Sequence, residues 1–313
     1  MKNLVFFIIF IVIVILVYSL LNYYFLKKHN NILTSRSLPR LISRLLIFTV
    51  ILTPFGTILF SGMKIPLLAA ITGFTGYSWL AFLFLFLTVH GLIDIIIFVF
   101  EKVGFTAPEC LPKIIFTATT LLSISVLTFG FFEAGNIKIE RISFETSKLP
   151  DSVNSIRIMQ ISDIHFSSLI GETMAEKIFA IAESEKPDLI VSTGDMLDRG
   201  IRNSAGIHKI MSSMNAPMGK YAITGNHEFI ADIQYSLDFI NKSGFAMIRN
   251  DYTTINNAIN LVGVDDPTIN RYDNKFDVNR AETNSLASIN NKLYTVLLKH
   301  QPRIVKDNIK YLI

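Results

Sequence analysis

The first 135 residues contain four long apolar segments joined by short polar connections, and this pattern restricts the fold more than any other feature. A helix rises ~1.5 Å per residue, so segments of this length can cross the ~30 Å hydrocarbon layer of a membrane. We predict spans at residues 3–26, 45–63, 76–100 and 111–132. Residues 65–75 are apolar but too few to cross, and we interpret them as an interfacial or re-entrant lead-in to the third span.

The composition changes after this region. Hydrophobic residues make up 50% of the 313-residue chain and its mean hydropathy is +0.44, which is too high for an ordinary soluble enzyme. Nearly all of the apolar excess precedes residue 135. We therefore expect a transmembrane region at residues 1–135 and a soluble domain at residues 136–313. The first apolar segment is too long for a cleaved signal peptide, and no small-residue cleavage site follows it.

The formal net charge of +4 has a membrane explanation. The connection between the first two predicted spans carries the strongest basic group near any span, formed by Lys27, Lys28, Arg36, Arg40 and Arg44. Such loops usually face the cytoplasm, so we expect the lipid bilayer, and no nucleic acid, as a partner. Four spans then place the soluble domain outside a bacterial plasma membrane. A fifth span within residues 65–75 would reverse that orientation.

Two ionisable residues, His90 and Asp94, lie one helical turn apart within the third predicted span. Ionisable residues inside a membrane often belong to transport or relay sites. A simpler interpretation is that the two side chains pair with each other at i, i+4 spacing. A transport or sensing role therefore stays open as an alternative function.

The second half of the chain alternates short β-branched runs with segments of helical periodicity, which indicates an α/β domain. The predicted strands are residues 137–144, 156–161, 189–192, 221–223, 261–264 and 294–298. The predicted helices are residues 173–184, 207–214, 233–242 and 303–312. Polar motifs follow four of these strands, at the carboxyl ends where open α/β sheets bind their ligands.

The first two motifs supply carboxylates and an imidazole. Asp163 and His165 lie two residues apart, so in extended chain both side chains can reach one metal ion. Gly194 allows a tight turn before Asp195, whose two carboxylate oxygens can bridge two cations. Each motif alone is also compatible with an ordinary surface turn.

The same turn continues with Asp198 and Arg199. We expect these two side chains to pair with each other or to brace the loop around the metal ligands.

The remaining motifs extend the series. Gly225 precedes Asn226, which offers a neutral amide oxygen, and His227, which would be free to act on a phosphate or its leaving group. Lys299 precedes His300, an imidazole that follows an apolar strand. A single histidine of this kind is more often structural, but the order, spacing and strand-end position of all four motifs agree. The combination therefore predicts a two-metal phosphoesterase site.

These motifs resemble those of the calcineurin-like metallophosphoesterases, and most closely their bacterial membrane-anchored branch, over about residues 156–302. The resemblance implies two mixed sheets packed face to face, helices flanking them, and two divalent ions at the strand ends. The ligands it implies share one carboxylate: Asp163, His165 and Asp195 for one ion, and Asp195, Asn226 and His300 for the other.

The resemblance also gives His227 the role of stabilising or protonating the leaving group. The expected activity is hydrolysis of a phosphodiester, phosphomonoester or pyrophosphate, with two ions that activate water for in-line attack and neutralise the developing charge. The mixed ligand set suits Mn²⁺, Fe or Zn²⁺. Membrane anchoring points to a lipid-linked or envelope substrate such as UDP-diacylglucosamine, and the sequence specifies no oligomeric state.

The family pattern ends with a Gly-His-x-His segment, whereas no histidine follows His300 here. We therefore expect one histidine per ion, and the last strands of the second sheet, to be missing from this chain. A catalytically inactive membrane protein that retains a remnant phosphoesterase domain is accordingly the alternative function.

Overall fold

The chain divides into two units, residues 1–138 and 139–313. The computed structural model describes residues 2–32, 38–63, 65–104, 106, 108–167, 170–198, 204–272 and 276–311. The predicted fold class is confirmed, because four long apolar helices precede an α/β unit with two sheets.

The first unit consists of helices α1 (Lys2–Ile32), α2 (Leu38–Gly62), α3 (Pro66–Lys102) and α4 (Leu111–Ala134). All four contain a stretch long and apolar enough to cross a membrane. The aromatic interior includes Phe25, Phe82 and Phe86, all buried, whereas Phe6 and Phe84 are each 70% exposed. Large apolar side chains on the outer surface are typical of helices that face lipid.

The predicted lead-in at residues 65–75 is wrong, because almost all of it belongs to α3. Pro66 stands in the first turn of that helix, where a missing N–H costs nothing. Glycines near the start of α3 let this helix approach α2 closely. A Cβ at Gly76 would lie 2.9 Å from the backbone nitrogen of Pro54, so only glycine fits there.

His90 and Asp94 do pair, as the simpler interpretation expected, and two residues of α1 join them. His90 Nδ1 lies 3.5 Å from Asp94 Oδ1. The Tyr24 hydroxyl donates to Asp94 Oδ2 at 2.6 Å and lies 3.0 Å from His90 Nδ1. The Lys28 ammonium lies 2.5 Å from Asp94 Oδ2. This group, which we call the bundle cluster, links α1 to α3.

The second unit contains two sheets. The first is parallel, in the order β1-β2-β3-β4, with strands Ile158–Ile161, Leu189–Ser192, Lys220–Ala222 and Ala246–Met247. The second has the order β5-β6-β7, with strands Asp251–Ile255, Ile259–Gly263 and Tyr294–Leu298. In this sheet β6 pairs antiparallel with β5 and parallel with β7. The mixed second sheet places the end of β7 at the same edge as the end of β6.

Helices cover the outer faces of these sheets. They are α5 (Glu172–Glu185), α6 (Ala205–Ser213), α7 (Asn226–Ala231), α8 (Ile233–Lys242) and α9 (Val278–Ala287). Along β2 the side chains alternate: Leu189 and Val191 pack with Leu261 of the second sheet, and Ile190 packs under α5, α6 and α8. The sheets therefore face each other across one core, and helices enclose a second core behind the first sheet.

Two predictions at the edges of this unit are wrong. Residues 137–144 form no strand among the described residues, and Ile142 and Phe144 are 73% and 77% exposed. An alternating pattern forms a ladder only where a partner strand is available, and this segment pairs with none of the seven strands described. The predicted last helix is a 3₁₀-helix at Lys306–Tyr311.

Candidate metal centre

The loops after β1 and β2 run side by side and turn in the same way. Asp163, His165 and Asp195 all have a left-handed backbone, with φ of 54°, 51° and 53°. The N–H of Asp163 donates to the Gly194 carbonyl at 3.1 Å, and that of His165 donates to the Asp195 carbonyl at 3.0 Å. A positive φ is strained for residues other than glycine and is often found at functional sites. These bonds hold the three side chains at one sheet edge.

Glycines bring the next loop into contact. A Cβ at Gly194 (φ +102°) would lie 2.4 Å from the Gly225 nitrogen, and a Cβ at Gly225 would lie 2.2 Å from Asp195 Oδ1. With both side chains absent, Asp195 reaches the first turn of α7. There its Oδ1 accepts the His227 N–H at 2.8 Å. The N-terminus of a helix favours such a carboxylate.

Glu228 ties these loops together, a role that our sequence analysis missed. Its side chain is fully buried. Oε2 accepts the N–H groups of Gly225 at 2.7 Å and Asp195 at 2.9 Å, and Oε1 accepts that of Met196 at 2.8 Å. Burial raises the pKa of the Glu228 carboxyl, and these N–H groups oppose the rise. A glutamate three residues after the N-cap position is the spacing of a capping box, which is the signal that could have revealed it.

His300 enters the site from the end of β7. Its Nδ1 lies 3.0 Å from the Thr193 carbonyl oxygen, so in the neutral ring Nδ1 donates and Nε2 carries a lone pair. Nε2 faces two further acceptors, Asn226 Oδ1 at 3.3 Å and Asp195 Oδ2 at 3.5 Å. Three lone-pair atoms at this separation repel one another unless a cation lies among them.

His165 and His227 contact each other near Asp195. His165 Nε2 is 3.5 Å from Asp195 Oδ2, and the two imidazole rings meet edge to face with centroids 4.5 Å apart. His227 Nδ1 lies 3.2 Å from Asp198 Oδ1. We expected Asp198 to pair with Arg199 or to brace the loop; Arg199 lies outside the described residues, so this stays a prediction.

The six predicted ligand and catalytic side chains thus meet at one place, although their grouping differs from the one that the resemblance implied. Two sets have ligand atoms within 4.8 Å of one another: Asp163, Asp195 and His300 in one, and His165, Asp198 and His227 in the other. Carboxylate and imidazole donors of this kind fit divalent transition metals. Beside His300 opens a cavity of about 340 Å³, lined by polar and apolar residues including Asn270, Gln301 and Ile304.

Comparison with known proteins agrees with this geometry. The sequence model of the calcineurin-like phosphoesterase family matches residues 156–310. An uncharacterized metallophosphoesterase of Aquifex aeolicus is 34% identical over 190 residues, which are 61% of this chain and 72% of that protein.

Two further relatives carry more specific names. A transmembrane protein with metallophosphoesterase domain of Danio rerio is 26% identical over 62% of this chain and 46% of its own length. The UDP-2,3-diacylglucosamine pyrophosphatase LpxG of Chlamydia muridarum is 23% identical over 62% of this chain and 71% of its own length.

The family is metal-dependent, so a metal ion is the expected ligand of these side chains. The second unit is a phosphoric ester hydrolase domain. The resemblance inferred from the motifs is confirmed: the chain belongs to the calcineurin-like metallophosphoesterases.

Proposed function

We propose that this protein is a membrane-anchored two-metal hydrolase that cleaves a phosphoester or pyrophosphate bond. The observation that carries the proposal is the position of Asp195. Its Oδ2 lies 3.5 Å from Nε2 of His165 and 3.5 Å from Nε2 of His300. A carboxylate beside two imidazole acceptors is the arrangement expected of a ligand shared by two cations.

Each side chain then has a defined task. We keep the ligand sets that the resemblance implies, although Asp163 also lies close to His300. Asp163 and His165 would complete one ion's ligands with Asp195, while Asn226 and His300 would complete the other's. When bound, two such ions supply charge neutralisation and an activated water. The Thr193 carbonyl keeps His300 in the tautomer that presents Nε2. Mn²⁺, Fe and Zn²⁺ all suit this set of ligands.

His227 is the proposed proton donor to the leaving group. Asp198 accepts from Nδ1, so in the protonated ring Nε2–H remains for the departing oxygen. Asp198 would fix the ring orientation. Pairing of a histidine with a carboxylate in this way is the usual means of positioning a general acid.

We further propose a lipid-linked or envelope substrate with a pyrophosphate or phosphodiester bond, of which UDP-diacylglucosamine is an example. Two observations support this. Four helices of the first unit are suited to a membrane, and one relative is named for cleavage of UDP-2,3-diacylglucosamine. The cavity beside His300 offers room for the part of a substrate beyond the phosphate.

The test separates metal binding from turnover. Asp195→Asn should remove bound metal and lower hydrolysis of a chromogenic phosphodiester by about 10³-fold or more. His227→Ala should keep the metal and lower turnover by about 10²–10⁴-fold. Asp238→Asn, an exposed carboxylate on α8 paired with Lys242, serves as the control. Equal metal loss in Asp195→Asn and His227→Ala would refute the assigned roles.

For the orientation, we propose that the basic connection between α1 and α2 faces the cytoplasm of a bacterial cell and the phosphoesterase unit lies outside the plasma membrane. Cys110, which is exposed, then lies on the cytoplasmic side. A membrane-impermeant maleimide should label it only after permeabilisation. Labelling of intact cells would reverse the proposed orientation.

A further inference from the structure

A groove of about 320 Å³ lies between α1 and α2, near the connection that joins them. Its walls come from two helix faces. Leu26 and Asn30 contribute from α1, at i, i+4 spacing, and the contributors from α2 are Leu41, Arg44, Leu45 and Phe48. The spacing of the α2 residues places them on one face of that helix. The groove is therefore apolar along its length and carries one cation.

Within the described part of the bundle, the residues that line this groove come from α1 and α2. Helix α2 packs mainly against α3, while α1 packs against α3 and α4. Further along, α1 and α2 are joined where the Tyr18 hydroxyl donates to the Ile51 carbonyl at 2.8 Å. Leu41, Leu45 and Phe48 remain 56%, 57% and 58% exposed. In a membrane, lipid fills an apolar space of this kind between two helices.

One hydrogen bond holds the guanidinium of Arg44 in place. Its Nε donates to Asn30 Oδ1 at 2.9 Å, which fixes the plane of the guanidinium. Among the residues that the structure describes, none bonds to its two terminal nitrogens. A guanidinium with free terminal N–H groups matches two oxygens of a phosphate.

We propose that this groove binds a membrane phospholipid, with the headgroup phosphate on Arg44 and an acyl chain against Leu41, Leu45 and Phe48. The ligand is a resident lipid and not a substrate. If all four helices cross the bilayer, the α1–α2 connection and the end of α4, where the chain leaves the membrane, lie at opposite faces. A lipid in the groove would therefore sit in the leaflet at the α1–α2 connection.

Thermal unfolding of the full chain in detergent tests this, with two lipids of the same acyl chains. Phosphatidylglycerol should raise the unfolding temperature, and diacylglycerol, which lacks the phosphate, should not. Arg44→Gln should weaken the apparent affinity for phosphatidylglycerol about tenfold, the usual order for a lost charge-assisted bond. Leu41→Trp, which fills the groove and leaves Arg44 in place, should also reduce the shift.

Lys102→Gln is the matched control, because Lys102 is an exposed cation at the end of α3, outside the groove. It should retain the full shift. The unfolding temperature without lipid shows whether each variant folds, and native mass spectrometry counts the bound lipid. An equal response to diacylglycerol, or a full phosphatidylglycerol shift in Arg44→Gln, would overturn the proposal.

Discussion

The bundle cluster and the metal centre are both groups of ionisable side chains, but they differ in the balance of donors and acceptors. In the bundle cluster, Lys28 and the Tyr24 hydroxyl donate to Asp94 at 2.5 and 2.6 Å. Tyr24 then has a lone pair for His90 Nδ1–H at 3.0 Å. Each acceptor faces a donor, so the cluster is complete without a ligand.

In the metal centre, acceptors face acceptors. His300 Nε2 lies 3.3 Å from Asn226 Oδ1 and 3.5 Å from Asp195 Oδ2, and the ring proton of His300 is donated to the Thr193 carbonyl. Such an arrangement is unfavourable until a positive charge enters. The two clusters contain similar residue types, but only the metal centre has fewer hydrogen-bond donors than its acceptors need. The number of donors therefore distinguishes a metal site from a self-contained cluster better than the residue types do.

The largest effect is expected when the hydrogen bonds of Glu228, which join the loops of the metal centre, are disrupted. Glu228→Gln replaces one of two acceptor oxygens by an amide that donates, so at least one of the N–H groups of Gly225, Asp195 and Met196 loses its buried partner. We expect the metal-free chain to lose about 2–3 kcal/mol of stability. Metal affinity should fall too, because the loops of Asp195 and Asn226 separate.

Thermal unfolding in detergent with a chelator, and metal titration, give the two readouts. Glu176→Gln, an exposed glutamate on α5, is the matched control and should change neither. Unchanged metal affinity in Glu228→Gln would show that the ligand loops hold their geometry without this carboxylate.

A smaller effect is expected in the bundle cluster. Asp94→Asn leaves the Lys28 ammonium without its counter-ion, while the Tyr24 hydroxyl can still donate to the amide oxygen. A double-mutant cycle with Lys28→Met should give a coupling energy of about 1 kcal/mol. Hydrolysis and metal content should stay unchanged. Loss of turnover with metal retained would instead assign His90 and Asp94 the relay role considered from the sequence.

The sequence predicted the parts of this molecule that depend on local pattern. Short β-branched runs such as residues 189–192 formed strands, and the polar residues after them met because parallel strands end at one edge. Four apolar segments became four helices. These predictions rest on periodicity and on strand direction, which a single sequence carries.

The parts that it did not predict depend on partners distant in the chain. Glu228 accepts the N–H groups of Asp195 and Met196, more than 30 residues earlier, whereas its capping-box spacing indicates only the local bond to Gly225. The contact of Asp198 with His227, 29 residues later, was missed for the same reason. Residues 137–144 had the pattern of a strand but no described partner to pair with, so the pattern alone misled.

The smallest effect is expected at His208, which forms a third cluster with two neutral serine hydroxyls. Its Nε2 lies 2.8 Å from the Ser204 hydroxyl, its Nδ1 lies 3.1 Å from the Ser243 hydroxyl, and its ring packs on Phe239. Burial lowers the pKa of His208, so the folded chain takes up this proton less readily than the unfolded chain. The free energy of unfolding should therefore fall as the pH drops through the ordinary histidine value, near 6.5.

His208→Gln should remove that part of the pH dependence, since glutamine does not titrate. The measurement is the unfolding temperature in detergent with chelator at about pH 8 and about pH 5.5, and the drop should be smaller in His208→Gln than in the unsubstituted chain. Lys209→Gln, the exposed neighbour on α6, should keep the full drop. Because the two serine hydroxyls occupy both ring nitrogens of His208, added metal should not change the difference in unfolding temperature between the variants. A difference that depends on metal would mean that α6 is coupled to the metal centre.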